Sequence, residues 1–113
     1  MTRRITAGVA AGALILATAL VVIARPSSAA QINVMIENYQ YSPSALSVHV
    51  GDSVTWTNMD QAPHTVTTSS GPEKISSPTL QKGESFTFTF TKAGTYQYYC
   101  AVHPEMKASV TVT

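Results

Sequence analysis

Three side chains that bind soft or borderline transition metals lie within seven residues near the end of the chain. Cys100, His103 and Met106 offer a thiolate, an imidazole and a thioether, each separated from the next by two residues. These ligand types suit such ions. A loop leaving a strand can turn all three toward one point, and His64, which follows Pro63, is a candidate fourth ligand. The pattern predicts a metal site built from His64, Cys100, His103 and Met106.

Each of these side chains has a simpler explanation when it is taken alone. Cys100 can be an inert buried thiol, His103 a surface loop histidine, Met106 a filler at the edge of the core, and His64 the first residue of a strand. Together they form a specific pattern, because two histidines, one cysteine and a weak axial methionine are the ligand set of a blue-copper electron-transfer site. His49 lies on the outward face of its predicted strand without ligand-like neighbours, so we leave it out of the site.

The composition describes one small domain of 113 residues, 44% of them hydrophobic. From Gln31 onward, four lysines face six acidic residues, so this part of the chain carries a small negative net charge and no basic patch. We therefore expect no nucleic-acid partner.

The first 30 residues follow the pattern of an export signal. Arg3 and Arg4 precede an uncharged run over residues 5–24, and residues 28–30 are small enough to suit cleavage. We predict a helical signal peptide over residues 1–30 and a mature domain over residues 31–113, in the periplasm, outside the cell or at the outer face of the membrane. The apolar run approaches the roughly 20 residues that span a bilayer, so an uncleaved membrane anchor is the alternative. In such an oxidising location the single cysteine has no partner within the chain.

Hydrophobic and polar residues alternate after Ala30 and never settle into a helical period, which predicts an all-β domain. The predicted inward-facing positions are Ile32, Val34 and Ile36; Leu46, Val48 and Val50; Val54 and Trp56; Phe86, Phe88 and Phe90; Tyr96, Tyr98 and Cys100; and Ala108, Val110 and Val112. Gly51-Asp52 predicts a hairpin, residues 39–44 a connection, and residues 64–68 a short strand. We expect a β-sandwich of about seven to eight short strands.

The whole mature domain resembles the cupredoxins, the small type 1 copper proteins, and most of all the amicyanin and plastocyanin group. The resemblance is carried by residues 51–58, 60–66, 94–100 and 103–106. The spacing of two residues between His103 and Met106 is similar to that of amicyanin, whereas plastocyanins have a longer loop there. The resemblance implies a Greek-key β-sandwich with one copper ion per chain. His64, Cys100 and His103 would be its equatorial ligands and Met106 its axial ligand.

Two positions depart from the family pattern. The residue after the first histidine is often an asparagine that ties the two ligand loops together, and here it is Thr65. A glycine often follows two residues after the axial methionine, and here Ala108 stands in that place.

The resemblance also implies a function, which is one-electron transfer without conversion of a substrate. The electron would pass through the exposed edge of His103, in a transient contact between a monomer and a redox protein such as a c-type cytochrome or a dehydrogenase. An apolar surface is expected around this edge, formed by Met59, Ala62, Pro63 and Pro104. Glu105 and Asp60 are candidates for steering a basic partner, or are ordinary solvated charges.

Three other functions compete with electron transfer. An exported protein for copper delivery or resistance would use the same fold and ligands, but the chain has no Met-rich or His-rich tract. An enzyme is not expected, since no second copper set and no catalytic triad are present in the sequence. An adhesion module without metal would leave the spacing of Cys100, His103 and Met106 to chance.

Overall fold

The computed structural model describes residues 28–113 and contains eight strands in that range. The strands are β1 (Gln31–Glu37), β2 (Gln40–Ser42), β3 (Ala45–Val48), β4 (Ser53–Asn58), β5 (Thr67–Ser70), β6 (Ser85–Thr89), β7 (Gly94–Tyr99) and β8 (Lys107–Val112). The predicted all-β sandwich is therefore confirmed. The predicted signal helix lies outside the described residues. Within residues 28–113, no helix has the length and apolar character needed to cross a membrane.

The strands form two four-stranded sheets. One has the order β2-β1-β4-β6 and the other the order β3-β8-β7-β5. Two neighbouring pairs are parallel: β1 runs beside β4, and β3 runs beside β8. The remaining neighbours are antiparallel. This arrangement brings the ends of β4 and β7 to the same edge of the sandwich, where the predicted ligands lie.

The alternation in the sequence matches the burial of the side chains. Val34, Ile36 and Trp56 are fully buried from one sheet, and Tyr98 faces them from the other. The indole N–H of Trp56 donates a hydrogen bond to the Tyr98 hydroxyl, 3.1 Å away, and the two rings pack edge to face. Since a buried polar group without a partner is costly, this bond lets both aromatic side chains lie in the core between the sheets.

The predicted hairpin at Gly51-Asp52 is wrong. Strands β3 and β4 lie in different sheets, and the turn between them carries the chain from one sheet to the other. Gly51 has a φ of 99°, and its N–H donates to the carbonyl of Phe90. Alternation specifies which face of a strand is buried but not which strand lies beside it, so Val48, Val54 and Trp56 are buried as predicted while the pairing differs. Val50, predicted to face inward, lies beyond the end of β3 and is 50% exposed, so that prediction is wrong.

Two further predictions about local structure are wrong. Residues 39–44, expected to be a connection, contain β2, which pairs with β1 through a two-residue turn. Both turn residues, Asn38 and Tyr39, have positive φ angles, as a type I′ turn requires. The strand expected at residues 64–68 begins only at Thr67, and His64 instead makes an isolated bridge to Leu80. The backbone before Thr67 pairs with a loop rather than with a strand.

Candidate metal centre

The nitrogen and sulfur atoms of three predicted ligands converge at one end of the sandwich. The Nδ1 atoms of His64 and His103 are 3.2 Å apart, and the Sγ atom of Cys100 lies 3.7 Å from the first and 3.8 Å from the second. Of the described residues, this is the group of three potential ligands whose atoms lie close enough to share an ion. His64 and Cys100 are fully buried, while His103 is half-buried.

The loop from Cys100 to Met106 is closed by its own backbone. The N–H of Cys100 donates to the carbonyl of Met106 at 3.1 Å, and the N–H of Met106 donates to the carbonyl of His103 at 2.9 Å. Cys100 directly follows β7 and Met106 directly precedes β8, so two paired strands hold both ends of this short loop. The Met106 side chain is buried at the base of the loop, where it packs into the core.

The loop that carries His64 is held by Asn58, the last residue of β4. The side-chain amide of Asn58 donates to the carbonyls of Ala62 and Leu80, at 2.9 Å each. Leu80 also pairs with the backbone of His64 through two hydrogen bonds. A fully buried asparagine therefore fixes the path of the loop on which the first histidine lies.

Asp60 holds the imidazole of His64 from the side opposite Cys100. Its Oδ2 atom lies 2.8 Å from Nε2 of His64 and also accepts the N–H of Tyr39, while Oδ1 accepts the N–H of Asn38. Burial raises the pKa of this carboxyl group, but the hydrogen bonds from Tyr39, His64 and Asn38 outweigh that effect, so the pKa lies below its ordinary value. Asp60 is thus a carboxylate with fixed partners, and its side chain is only 13% exposed.

Thr65 ties the two ligand loops together. Its N–H donates to the sulfur of Cys100 at 3.3 Å, and its hydroxyl accepts the N–H of Ala101 at 2.8 Å. Its carbonyl accepts the hydroxyl of the buried Tyr41 at 2.6 Å. The threonine therefore supplies the connection that asparagine often makes in similar proteins, because the loops approach closely enough for its short side chain.

Sequence reasoning missed the role of Tyr39. Its ring packs edge to face on both histidine rings, with centroid distances of 5.1 Å to His64 and 4.8 Å to His103. The ring remains 48% exposed, so it covers the two imidazoles on the solvent side. Tyr39 lies 25 positions before His64 in the sequence and has no ligand-like neighbour, so no local pattern could have indicated this contact.

The residues expected to form an apolar surface around His103 differ in how far they are exposed. Met59 is 38% exposed and Pro104 is exposed, while Ala62 and Pro63 are half-buried. Val102, which precedes His103 and was not among the residues expected at this surface, is 44% exposed.

The donor set fits a copper ion. A buried cysteine without a disulfide partner in the described chain receives an N–H hydrogen bond, and two imidazole nitrogens face its sulfur. Thiolate and imidazole ligands together suit copper among the first-row metals.

Two packed sheets with this buried ligand cluster at one edge define a small copper-binding β-sandwich. The family of copper-binding proteins described as plastocyanin/azurin matches residues 28–113. The chain belongs to this family, and its cofactor is copper.

The relatives that the chain matches include several amicyanins. Amicyanin of Paracoccus denitrificans is 39% identical over 84 residues, which cover 72% of this chain and 64% of that protein. Amicyanin-alpha of Methylorubrum extorquens is 33% identical over 110 residues, which cover 95% of this chain and 87% of the relative. The solved Cu(I) form of an amicyanin variant has a TM-score of 0.69 at 37% identity and covers 78% of this chain and 87% of its own. The chain thus spans slightly less than two thirds of the Paracoccus relative.

Proposed function

We propose that the protein is an exported one-electron carrier with a single type 1 copper site. His64, Cys100 and His103 would be its equatorial ligands, and Met106 its axial ligand. The observation that carries this proposal is the convergence of two Nδ1 atoms and one buried Sγ atom within 4.8 Å of one another. Bound by these residues, copper would supply a couple between its +1 and +2 states.

The surrounding residues suit repeated electron exchange without large rearrangement. Both ligand loops are fixed by hydrogen bonds: Asn58 donates to the first loop, Ala101 donates to the Thr65 hydroxyl, and the N–H of Thr65 donates to the Cys100 sulfur. A site that is held in this way keeps one geometry in both oxidation states, and the energy needed to reorganise it stays small. His103 is the ligand nearest to solvent and provides the route for the electron.

The partner we propose is a redox protein such as a c-type cytochrome or a dehydrogenase, bound transiently to a monomer of this protein. Val102 and Pro104, the chain neighbours of His103, have exposed apolar side chains, and Met59 on the other ligand loop is also exposed. Weak electron-transfer complexes use interfaces at the small end of the range, below about 1,200 Å². We propose no substrate and no enzyme activity for the protein, in line with its membership of the plastocyanin/azurin family.

The export assignment rests on residues 1–30, and the domain boundary at Gln31 stays a prediction. The boundary is supported by the family match, which begins at residue 28.

The test is the visible spectrum of the exported protein after titration with Cu(II). We expect an intense blue thiolate-to-copper absorption with one equivalent of copper, and its loss in Cys100→Ser. His64→Ala should also lose this absorption. His49→Ala is its matched control and should stay blue, because His49 is exposed and follows the end of β3, remote from the ligand loops. A colourless protein, or a colour that survives Cys100→Ser, would contradict the type 1 assignment.

A second measurement separates electron transfer from copper delivery. The reduced protein is mixed with an oxidised cytochrome c, and both the oxidation rate and the retained copper are followed. An electron carrier is oxidised over many cycles with its copper retained, whereas a delivery protein loses copper during the cycles.

A further inference from the structure

The two histidines at the metal centre differ in what holds their second nitrogen. Nε2 of His64 lies 2.8 Å from the carboxylate of Asp60. For Nε2 of His103, no hydrogen-bond partner is found within residues 28–113. His64 is also completely buried, while His103 is half-buried. The centre is therefore electrostatically asymmetric, with a negative charge directly behind one imidazole.

The contact between Asp60 and His64 fixes which nitrogen carries the proton. A carboxylate can only accept a hydrogen bond, so Nε2 must be the protonated nitrogen. Nδ1 is then left with its lone pair, and this is the atom that faces Cys100 and His103. A separation of 2.8 Å lies in the range of a charge-assisted hydrogen bond, which is stronger than a neutral one.

The carboxylate itself is held in place by other groups. It accepts hydrogen bonds from the backbone N–H groups of Asn38 and Tyr39 at 2.8 and 2.9 Å. The backbone N–H of Asp60 in turn donates to the side-chain oxygen of Asn58. Tyr39 has a φ of 60°, which is unusual for a bulky residue and requires support from its surroundings. The same carboxylate thus orients His64 and anchors the turn that places Tyr39 over both imidazoles.

We propose that Asp60 is a positioning residue that sets the tautomer of His64 and lowers the reduction potential of the bound copper. The proposal rests on the copper site described under the proposed function. A hydrogen-bonded carboxylate increases the electron density of the imidazole and adds negative charge near the metal. Both effects stabilise Cu(II) more than Cu(I), because the oxidised ion carries the larger positive charge. In this chain, the Asp60 carboxylate therefore favours the oxidised form.

The test of the potential compares Asp60→Asn with the unmodified protein by redox titration of the blue absorption. Loss of a group that supports a metal ligand typically weakens metal binding roughly 10- to 100-fold. We expect at least a tenfold loss of Cu(II) binding relative to Cu(I), which raises the potential by about 59 mV for a one-electron couple. An unchanged or lower potential in a folded, blue Asp60→Asn protein would overturn the proposal.

Two control variants separate the hydrogen bond from other effects of the substitution. Glu105→Gln removes an exposed carboxylate from the ligand loop itself, and Asp52→Asn removes a buried one that accepts two backbone N–H groups beyond the far end of β4. We expect both controls to shift the potential much less than Asp60→Asn. A shift of equal size in Glu105→Gln would mean that nearby charge alone acts, and the proposal would fail.

A third variant separates the charge from the cover that Tyr39 provides. Tyr39→Ala opens the histidine rings to water, which favours the more highly charged oxidised site and therefore lowers the potential. Asp60→Asn is expected to raise it. If the two variants shift the potential in the same direction, Asp60 acts only by holding Tyr39, and the tuning role is wrong.

The tautomer of His64 is tested without copper, by ¹⁵N NMR of the metal-free protein. We expect the neutral imidazole of His64 to carry its proton on Nε2, the nitrogen that faces Asp60. A proton on Nδ1 would overturn the positioning role even if Asp60→Asn fails to fold. This measurement also separates the proposal for Asp60 from the proposal of a type 1 copper site, because a protein that never turns blue can still show the expected tautomer of His64.

Discussion

Replacement of Thr65 by valine tests whether one hydroxyl holds the two ligand loops together. Valine has nearly the same shape as threonine and keeps the backbone N–H that donates to the Cys100 sulfur. It removes the oxygen that accepts the N–H of Ala101 at 2.8 Å and that pairs with the hydroxyl of Thr67 at 2.9 Å. The substitution therefore breaks the hydrogen bond between the loops and leaves the packing of the side chain intact.

The magnitude follows from what is left without a partner. A buried donor that loses its acceptor costs about 1–3 kcal/mol. The hydrogen bond between Ala101 and Thr65 is partly buried, so we expect about 1–2 kcal/mol. In a domain of this size, each 1 kcal/mol lowers the melting temperature by about 4–8 °C. The metal-free Thr65→Val protein should therefore melt about 4–16 °C below the unmodified protein.

Thermal and denaturant unfolding of the metal-free protein, followed by circular dichroism, measure this loss. Thr67→Val is the matched control, since it removes the same bond between hydroxyl groups but leaves Ala101 paired. We expect this control to lose much less stability. If the two variants are equally destabilised, the hydroxyl of Thr65 does not hold the ligand loops together, and our account of the site is wrong at this point.

Two further predictions concern the buried polar side chains of Tyr98 and Asp52. Tyr98→Phe leaves the buried N–H of Trp56 without an acceptor and should cost about 1–3 kcal/mol in denaturant unfolding at pH 7. Burial raises the pKa of Tyr98 to about 12, so the unfolded chain loses this proton first. Between pH 10 and 12 this one group should lower the stability by about 2 kcal/mol, and Tyr98→Phe should remove that part of the pH dependence. Backbone N–H groups of Ala30 and His49 lower the pKa of Asp52 below 3.8, so this carboxylate stabilises the fold above that pH and the effect is lost on further acidification. Unfolding curves from pH 7 to pH 2 should show the difference between the unmodified protein and Asp52→Asn shrinking below about pH 4; a constant difference would contradict this linkage.

The contacts around the metal centre differ in how far they could be predicted. The spacing of Cys100, His103 and Met106 is a local property, and the backbone bonds that close their loop join residues at most six positions apart. Two groups that contact His64, the ring of Tyr39 and the backbone of Leu80, come from distant parts of the chain. Tyr39 approaches from the turn between β1 and β2, and the path of the loop depends on pairing with Leu80. Such contacts form only when the sheets have packed.

The sequence by itself determined the class of fold, the inward faces of most strands and the ligand types, because alternation and ligand spacing are local properties. It did not determine that β3 and β4 belong to different sheets, since a buried face can be satisfied by more than one neighbour. Only the tertiary structure decided that Asp60, which could equally be a solvated surface charge, lies against His64. The carboxylate acquires that role because the turn at Asn38 and Tyr39 folds over it and supplies two backbone donors.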